Sequence, residues 1–574
     1  MKQANVTMRR AQARKAATAP LFDFMQPAEK EPAPESVIEQ AVSVLPASPP
    51  AREKTASARR RETAQTLAQK QREISVSEFF LKNRHLLGFD NPQKALLTAV
   101  KEAVDNSLDA CERAGILPEI AIEITQLGEE RFRVAVQDNG PGIVRAQIPK
   151  VFGKLLYGSK FHTLLQQRGQ QGIGISAAGM YGQLTTGKPV VITSRVAGRK
   201  DAHHFEIMMD TAKNEPKVLV DTTVGWDAPH GTRVEIELEG IYRKGARSVD
   251  QYVAQTAMAN PHARIIYKPP KDDQIIYERA VNELPAEPIE IKPHPYGVEL
   301  GALIKLLRET KARNLKSALQ SDFSRVSAKV AEEICQQAGL EPSRRPSLMT
   351  PQEIEQLFRA IPRVKIMAPP TNCLSPIGEQ QILAGLKHLN AEFYTALTRA
   401  PAVYRGNPFQ IEVGLAYGGQ LPSDQLVELM RFANRVPLLY QQSACATFKA
   451  ALSVDWRSYG LSQSKGALPT GPCALFVHMA SAWVPFTSES KEAIASYPEI
   501  LREIRLALQE CGRRLSMHIK RGRRLADEHR KRSYIERYLP VIGEALQNIL
   551  DLSDQQRDAA LIQLEDILER SRKL

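Results

Sequence analysis

Leu97, Val100, Val104, Leu108 and Cys111 recur at three- and four-residue steps, so residues 101–111, KEAVDNSLDAC, continue one amphipathic helix. Its other face limits what the chain can fold into. Glu102, Asn106 and Asp109 share that opposite stripe, which sets a carboxylate and a carboxamide about one turn apart, within reach of a single ligand. Asn supplies a neutral oxygen for a hard cation such as Mg2+, and Glu can take a proton from an attacking water. Standing alone, such a pair more often describes a solvated helix face. Two glycine-rich pieces downstream reverse that weighting: VQDNGPGI at 136–143 and RGQQGIGIS at 168–176.

In RFRVAVQDNG, Phe132, Val134 and Val136 alternate with polar residues, as a half-buried strand requires. Asp138 stands where this strand runs into Asn139-Gly140-Pro141-Gly142, a turn whose glycines let backbone approach a ligand. A carboxylate held there suits the exocyclic amine of adenine; an ordinary Asx-type turn fits the loop equally well. Residues 152–176 form a long, polar, glycine-interrupted connection, the pattern of a functional lid. Within Gly169, Gln170, Gln171, Gly172, Ile173, Gly174, Ile175 and Ser176, the glycines free backbone N–H groups to face an anion. The helix expected from SAAGMYGQL adds its positive end. Ser159 and Lys160 add a hydroxyl and a point charge. Gly172, Gly174 and Ala177 also satisfy the dinucleotide pattern GxGxxA, but polar residues precede it rather than a buried strand, and no GxxxxGK[ST] occurs. Thr232, opening TRVEIELEG, is a ligand-side hydroxyl or a plain strand-start threonine.

The 574 residues exceed one core, and a net charge of +13 points to an anionic partner such as nucleic acid. Six scattered cysteines have no zinc spacing and read as reduced core thiols. With no run of about 18 apolar residues and no apolar signal segment, neither a membrane nor secretion is expected, and the chain is expected in the cytoplasm. Residues 1–72 carry 13 Lys/Arg against 7 Asp/Glu and seven prolines. They are expected to be a disordered basic extension, either touching DNA or simply solvated. Ser77 is a candidate cap for a short helix before Asn91-Pro92 opens the long one. Beyond the proline-studded 284–297, the pattern is helical to about Ile361, with Thr350 capping and Pro351 in the first turn. Strands such as FQIEVGLAYGG then alternate with helices such as QLVELMRFANRV. Ile500, Ile504, Leu508, Cys511, Leu515 and Ile519 mark a long amphipathic helix, and a further helical pair ends the chain.

ExxxNSxDA, DNGxG, RGxxGxGIS and HGT, in that order, resemble the Bergerat-type ATPases of DNA gyrase (its B chain), MutL and histidine kinases. VFGKLLYGSKF, KPHPYGVE, PIGEQQI, FANRVPLLY and SKEAIA narrow the resemblance to the B subunits of type IIB DNA topoisomerases (topoisomerase VI), from about residue 73 onward. It implies a multidomain α+β chain. A basic extension (1–72) precedes a Bergerat α/β-sandwich ATPase with N-terminal strap (73–284). There follow a helix-two-turns-helix module (285–365), an α/β transducer with a long helix (366–530) and C-terminal helices that dock an A subunit (531–574). It further implies ATP and Mg2+ as ligands, ATP-driven B–B dimerisation around a DNA duplex, an A2B2 heterotetramer and a nucleoid location. Glu102 matches the general base, Asn106 the Mg2+ ligand and Asp138 the adenine reader. Gly142, Ser159, Lys160, residues 169–176 and Thr232 match the nucleotide site. Lys491, a surface charge on sequence alone, matches the transducer lysine that reaches the γ-phosphate. Lys244 with Arg247, and Trp456, Arg457 and Tyr459, match loops that touch DNA, although Ala246 and Arg457 stand where Arg and Lys are expected. The basic extension and the lack of an immunoglobulin-like C-terminal domain are further departures. A MutL-like repair clamp and a non-enzymatic DNA-binding scaffold are the alternative readings.

Overall fold

The long helix α1 (Pro92–Arg113) begins where the sequence puts it: the Asn91 side chain accepts from the Lys94 N–H at 2.9 Å, and Pro92 takes the first helical position. The computed structural model describes residues 74–571 except 76–77, 80–81, 159–162 and 170–171, together with Ala68. Ser159, Lys160, Gln170, Gln171, the Ser77 cap and the rest of the 1–72 extension lie outside the described residues. The Ser75 hydroxyl accepts from the Glu78 N–H at 3.1 Å.

Leu96, Leu97, Val100, Val104 and Leu108 of α1 are buried, each such side chain contributing about 1.5–3 kcal/mol. They pack on a sheet built from β1 (Glu119–Gln126) and β2 (Arg131–Asp138), then, after helices α2 (Ile148–Gly153) and α3 (Gly174–Thr186), from β3 (Val190–Arg195), β4 (Ala202–Asp210), β5 (Glu215–Val224) and β6 (Gly231–Glu239). Helix α4 (Val249–Ala259) leads to β7 (Arg264–Lys268) and β8 (Ile275–Tyr277). The strand order is β5-β4-β3-β6-β2-β1-β7-β8, antiparallel apart from β1 beside β7. As expected, Phe132, Val134 and Val136 all turn into the core. Gln137 pairs with Arg233, so the ends of β2 and β6 bring Asp138 beside Thr232.

Four helices, α5 (Leu300–Glu309), α6 (Leu315–Asp322), α7 (Ala328–Ala338) and α8 (Pro351–Ala360), close on a separate core that includes Leu307, Leu319, Ile334 and Leu357. Thr350 and Glu353 form a reciprocal capping box at α8, with Pro351 in its first turn.

Helix α9 (Glu379–Leu386) opens a second sheet region. Its strands are β9 (Phe393–Thr398), β10 (Ala402–Tyr404), β11 (Asn407–Tyr417), β12 (Glu428–Ala433) and β13 (Val436–Pro437). After α10 (Ala446–Leu452) and the small hairpin of β14 (Ser462–Gln463) and β15 (Pro469–Thr470) comes β16 (Cys473–Ser481). The order is β10-β11-β16-β12-β13, with β9 also on β11. Here one expectation fails: QLVELMRFANRV is strand, not helix. Val427 and Ala433 enter one core while Met430 and Phe432 enter another. A strand covered on both faces loses the hydrophobic alternation and reads like a buried helix.

Helix α11 (Pro498–Leu550) runs for 53 residues with Pro540 inside it, a length of roughly 80 Å. The expected separate helix from 534 is its continuation, and only α12 (Asp554–Ser571) folds back on it. Among the described residues, no helix is long and apolar enough to cross a membrane.

Candidate active site

A cavity of about 360 Å3 opens between α1, the ends of β2 and β6, the start of α3 and two segments from beyond residue 430. Its floor is Asp138, which is buried. Oδ1 accepts from the Gly140 N–H at 2.9 Å and the Thr232 N–H at 3.1 Å, and Oδ2 from the Ser107 hydroxyl at 3.0 Å. A carboxylate offers about four acceptor positions, so one remains for a donor entering the cavity. Burial raises the Asp138 pKa even though these three bonds oppose it. Gly142 has φ +75°, and a Cβ there would lie 2.1 Å from the Arg195 carbonyl oxygen; the turn after β2 is pressed against β3.

Along the α1 wall stand Glu102, half-buried, and Asn106, exposed to the cavity. A Cβ on Gly174 would lie 1.7 Å from Glu102 Oε2, so only glycine allows the carboxylate to sit against the first turn of α3. That turn has no side-chain cap, which leaves backbone N–H groups and the positive helix end for an anion. Gly169, Gly172, Ile173, Ile175 and Ser176 line the same mouth. The Ser176 hydroxyl is engaged by the carbonyls of Val151 and Lys154 at 2.9 and 3.0 Å, so Ser176 can serve an anion only through its backbone. Thr232 Oγ1 lies 2.9 Å from Ser194 Oγ.

Asp109 adds to the sequence reading. It borders the cavity with Glu102 and Asn106, but it is buried and its carboxylate accepts from Arg168 at 2.9 Å, so it is committed to an ion pair. The Arg168 guanidinium also forks onto Glu112, with two 2.7 Å bonds, and reaches Asn260 Oδ1 at 2.5 Å. Burial disfavours the Glu112 charge, yet Arg168 and His262 hold its carboxyl well below the usual range. Acids three apart, Asp109 and Glu112, were the available sequence signal for a buried basic partner.

The far wall comprises Pro437 to Tyr440 and Glu489 to Glu492. Lys491, with a left-handed φ of 54°, donates from Nζ to the Arg168 carbonyl at 3.4 Å. Glu492 meets Lys94 at 2.5 Å. Thus Glu102, Asn106, Asp138, Gly142, Thr232 and Lys491 share one cavity. Among the described residues no cluster of three His, Cys, Asp or Glu could hold a metal; on this wall Asn106 offers one neutral oxygen of the kind a hard cation takes.

The other sequence candidates lie apart from this cavity. Lys244 is exposed and paired with Asp272 at 2.7 Å, and Arg247 lies 5.9 Å from the centroid of the Tyr440 ring. Arg457 is exposed, 3.3 Å from Asp455. Trp456 is a correction: it is fully buried, its indole N–H donating to the Ala451 carbonyl at 2.9 Å, because so large an apolar body fills the core beneath α11. It has no face for DNA. Tyr459 is half-buried, edge-on to Trp456 and against Gly512.

A family profile described as Histidine kinase-, DNA gyrase B-, and HSP90-like ATPase matches residues 91–239. Fold and cavity together define an ATP-binding ATPase of that class. A second profile, Topoisomerase VI B subunit, transducer, matches residues 369–531. The chain is 51% identical over 490 residues to the B subunit of type 2 DNA topoisomerase 6 from Methanococcoides burtonii, covering 85% of this chain and 79% of that protein. The corresponding protein of Methanosarcina acetivorans is 49% identical over the same shares. That of Archaeoglobus fulgidus is 47% identical over 84% of this chain and 80% of its own length. The chain belongs to the family of topoisomerase VI B subunits, the ATPase subunits of type IIB DNA topoisomerases.

Proposed function

We propose that this cavity hydrolyses ATP with Glu102 as general base, and that the resulting movement carries one DNA duplex through a break made by an A subunit. The observation that carries the reading is that Glu102 on α1 and Lys491, more than 300 residues later, line the same cavity. Asp138 accepts the adenine amine through its remaining acceptor position. Gly142, Gly169 and the 172–176 segment face the phosphates, and Thr232, bonded to Asp138, lies at the base end; Ser159, Lys160, Gln170 and Gln171, outside the described residues, keep the phosphate-binding role that the resemblance implies. Mg2+, held on the protein side by Asn106, neutralises phosphate charge when bound. Glu102 orients the attacking water and takes its proton. Lys491 brings positive charge to the outermost phosphate and thereby ties the second sheet region to the state of the nucleotide.

The assembly is an A2B2 heterotetramer in which ATP closes two B subunits around double-stranded DNA, in the cytoplasm at the nucleoid. Residues 73–284 act as the ATPase unit, 285–365 as the helical module, 366–530 as the transducer and 531–574 as the docking element. Lys244, Arg247 and Arg457, exposed and basic, are the DNA contacts retained from the sequence, with half-buried Tyr459 two residues after Arg457. The docking role of 531–574 is supported by Val541, Ile549, Ile562 and Ile567, each at least 58% exposed at the end of α11 and on α12, an apolar surface of the kind that partners cover.

Deleting residues 535–574 is expected to abolish co-purification with the A subunit while leaving ATP hydrolysis by the isolated chain within about twofold, since the removed helices touch no part of the nucleotide cavity. Retained co-purification would remove the docking role from this segment.

A further inference from the structure

The two residues joining β12 to β13, Asn434 and Arg435, both have left-handed backbone, φ 47° and 67°. Ala433 pairs with Val436, which makes this a two-residue hairpin of the type that needs positive φ at both central positions and favours Asn-Gly. Arginine is a poor occupant of the second position, and a strained conformation of this kind persists only where its surroundings over-determine it. Here they do. Both side chains are at most 5% exposed. Asn434 donates from Nδ2 to the Gln167 carbonyl and to the Ser481 carbonyl, each at 3.0 Å, and accepts the Ser481 N–H at 2.9 Å. The Arg435 guanidinium donates to the Ser375 and Pro376 carbonyls at 3.1 Å.

Gln167 is not an arbitrary neighbour. It immediately precedes Arg168, whose carbonyl receives Lys491, and Gly169, where the phosphate-facing loop begins. A second tether runs in parallel: Gln166 accepts the Ser375 N–H at 2.6 Å and donates to the Ser375 carbonyl at 2.9 Å. Ser375 is the residue that Arg435 grips. The base of the loop is therefore held to the second sheet region at a turn that glycine would form with less strain.

We infer that the Asn434–Arg435 turn is a latch that makes the base of the nucleotide loop and the second sheet region move as one body, so that closure over nucleotide drives the domain rather than only the loop. Asn434 and Arg435 are positioning residues, and the inference rests on reading the cavity as the ATP site. Lys491 reports the outermost phosphate from one side; the latch carries the displacement from the other. Its loss leaves hydrolysis running without the motion it should produce.

The test uses the complex with the A subunit. Asn434→Gly suits the turn conformation and deletes only the side chain that holds Gln167. The expected result is a rise of about tenfold in ATP hydrolysed per strand-passage event, the size of a typical coupling between sites, with nucleotide affinity retained. Gln166→Ala, outside the turn, cuts the parallel tether and is expected to move the ratio in the same direction, keeping the test decisive if Asn434→Gly does not fold. Asn390→Gly, at another left-handed asparagine (φ 48°), is the control and should leave the ratio alone. An unchanged ratio, whether both activities stay at wild-type level or fall together, would overturn the latch. A wild-type complex showing no ATP-dependent strand passage would instead count against the reading of the cavity itself.

Discussion

Glu102→Ala is expected to lower steady-state ATP hydrolysis by about 10²–10⁴-fold, the range over which a positioned general base acts, while nucleotide still binds. The separation follows from where the contacts lie. Asp138 and Thr232 form the floor of the cavity and keep all their hydrogen bonds in the alanine variant, while the first turn of α3 loses only the carboxylate packed against Gly174 and keeps its backbone N–H groups. Removing a carboxylate from beside the α3 N-terminus also lowers negative charge near the phosphates, so affinity should hold or rise. Titration with a fluorescent nucleotide analogue, alongside a phosphate-release assay, separates the two effects. Unchanged turnover would take the base role away from Glu102.

Lys491→Ala is expected to reduce turnover by about 10²–10³-fold, as loss of one preorganised charge-stabilising donor does, although Lys491 lies outside the ATPase profile match. The residue sits in a left-handed backbone conformation, and its ammonium is already within the cavity, 3.4 Å from the Arg168 carbonyl. Binding of a phosphate in place of that carbonyl requires only a local swing of the side chain. The decisive readout is kcat rather than KM: a surface lysine would move neither, and a purely structural one would lower melting temperature in step with activity. Wild-type kcat in the variant would leave the far wall as packing alone.

The parts of this site that were legible in the sequence are those whose geometry is local. The α1 stripe, the alternation of β2, the Asn91-Pro92 start and the glycine run before α3 each lie within about one element, and hydrophobic period and turn chemistry suffice for them. What was hidden depends on distance along the chain. Arg168 looked like the first letter of a glycine loop, and only the fold brings it between Asp109 and Glu112. Lys491 had no local signal at all and was recoverable only through resemblance. The strand β12 was hidden because both its faces are covered, which erases the alternation that marks strands. Trp456 was misplaced for a different reason: its DNA contact was implied by the resemblance alone, whereas the indole is buried beneath α11 with its N–H satisfied.

The central claim is that ATP turnover at a cavity closed by two parts of this chain drives passage of DNA. Its most direct measurement is relaxation of supercoiled plasmid by the chain mixed with its A subunit. Relaxation is expected with ATP and Mg2+, and none without ATP; with Glu102→Ala, at most the single passage that binding alone permits. Relaxation that proceeds equally without nucleotide, or multiple-turnover relaxation with Glu102→Ala, would contradict it.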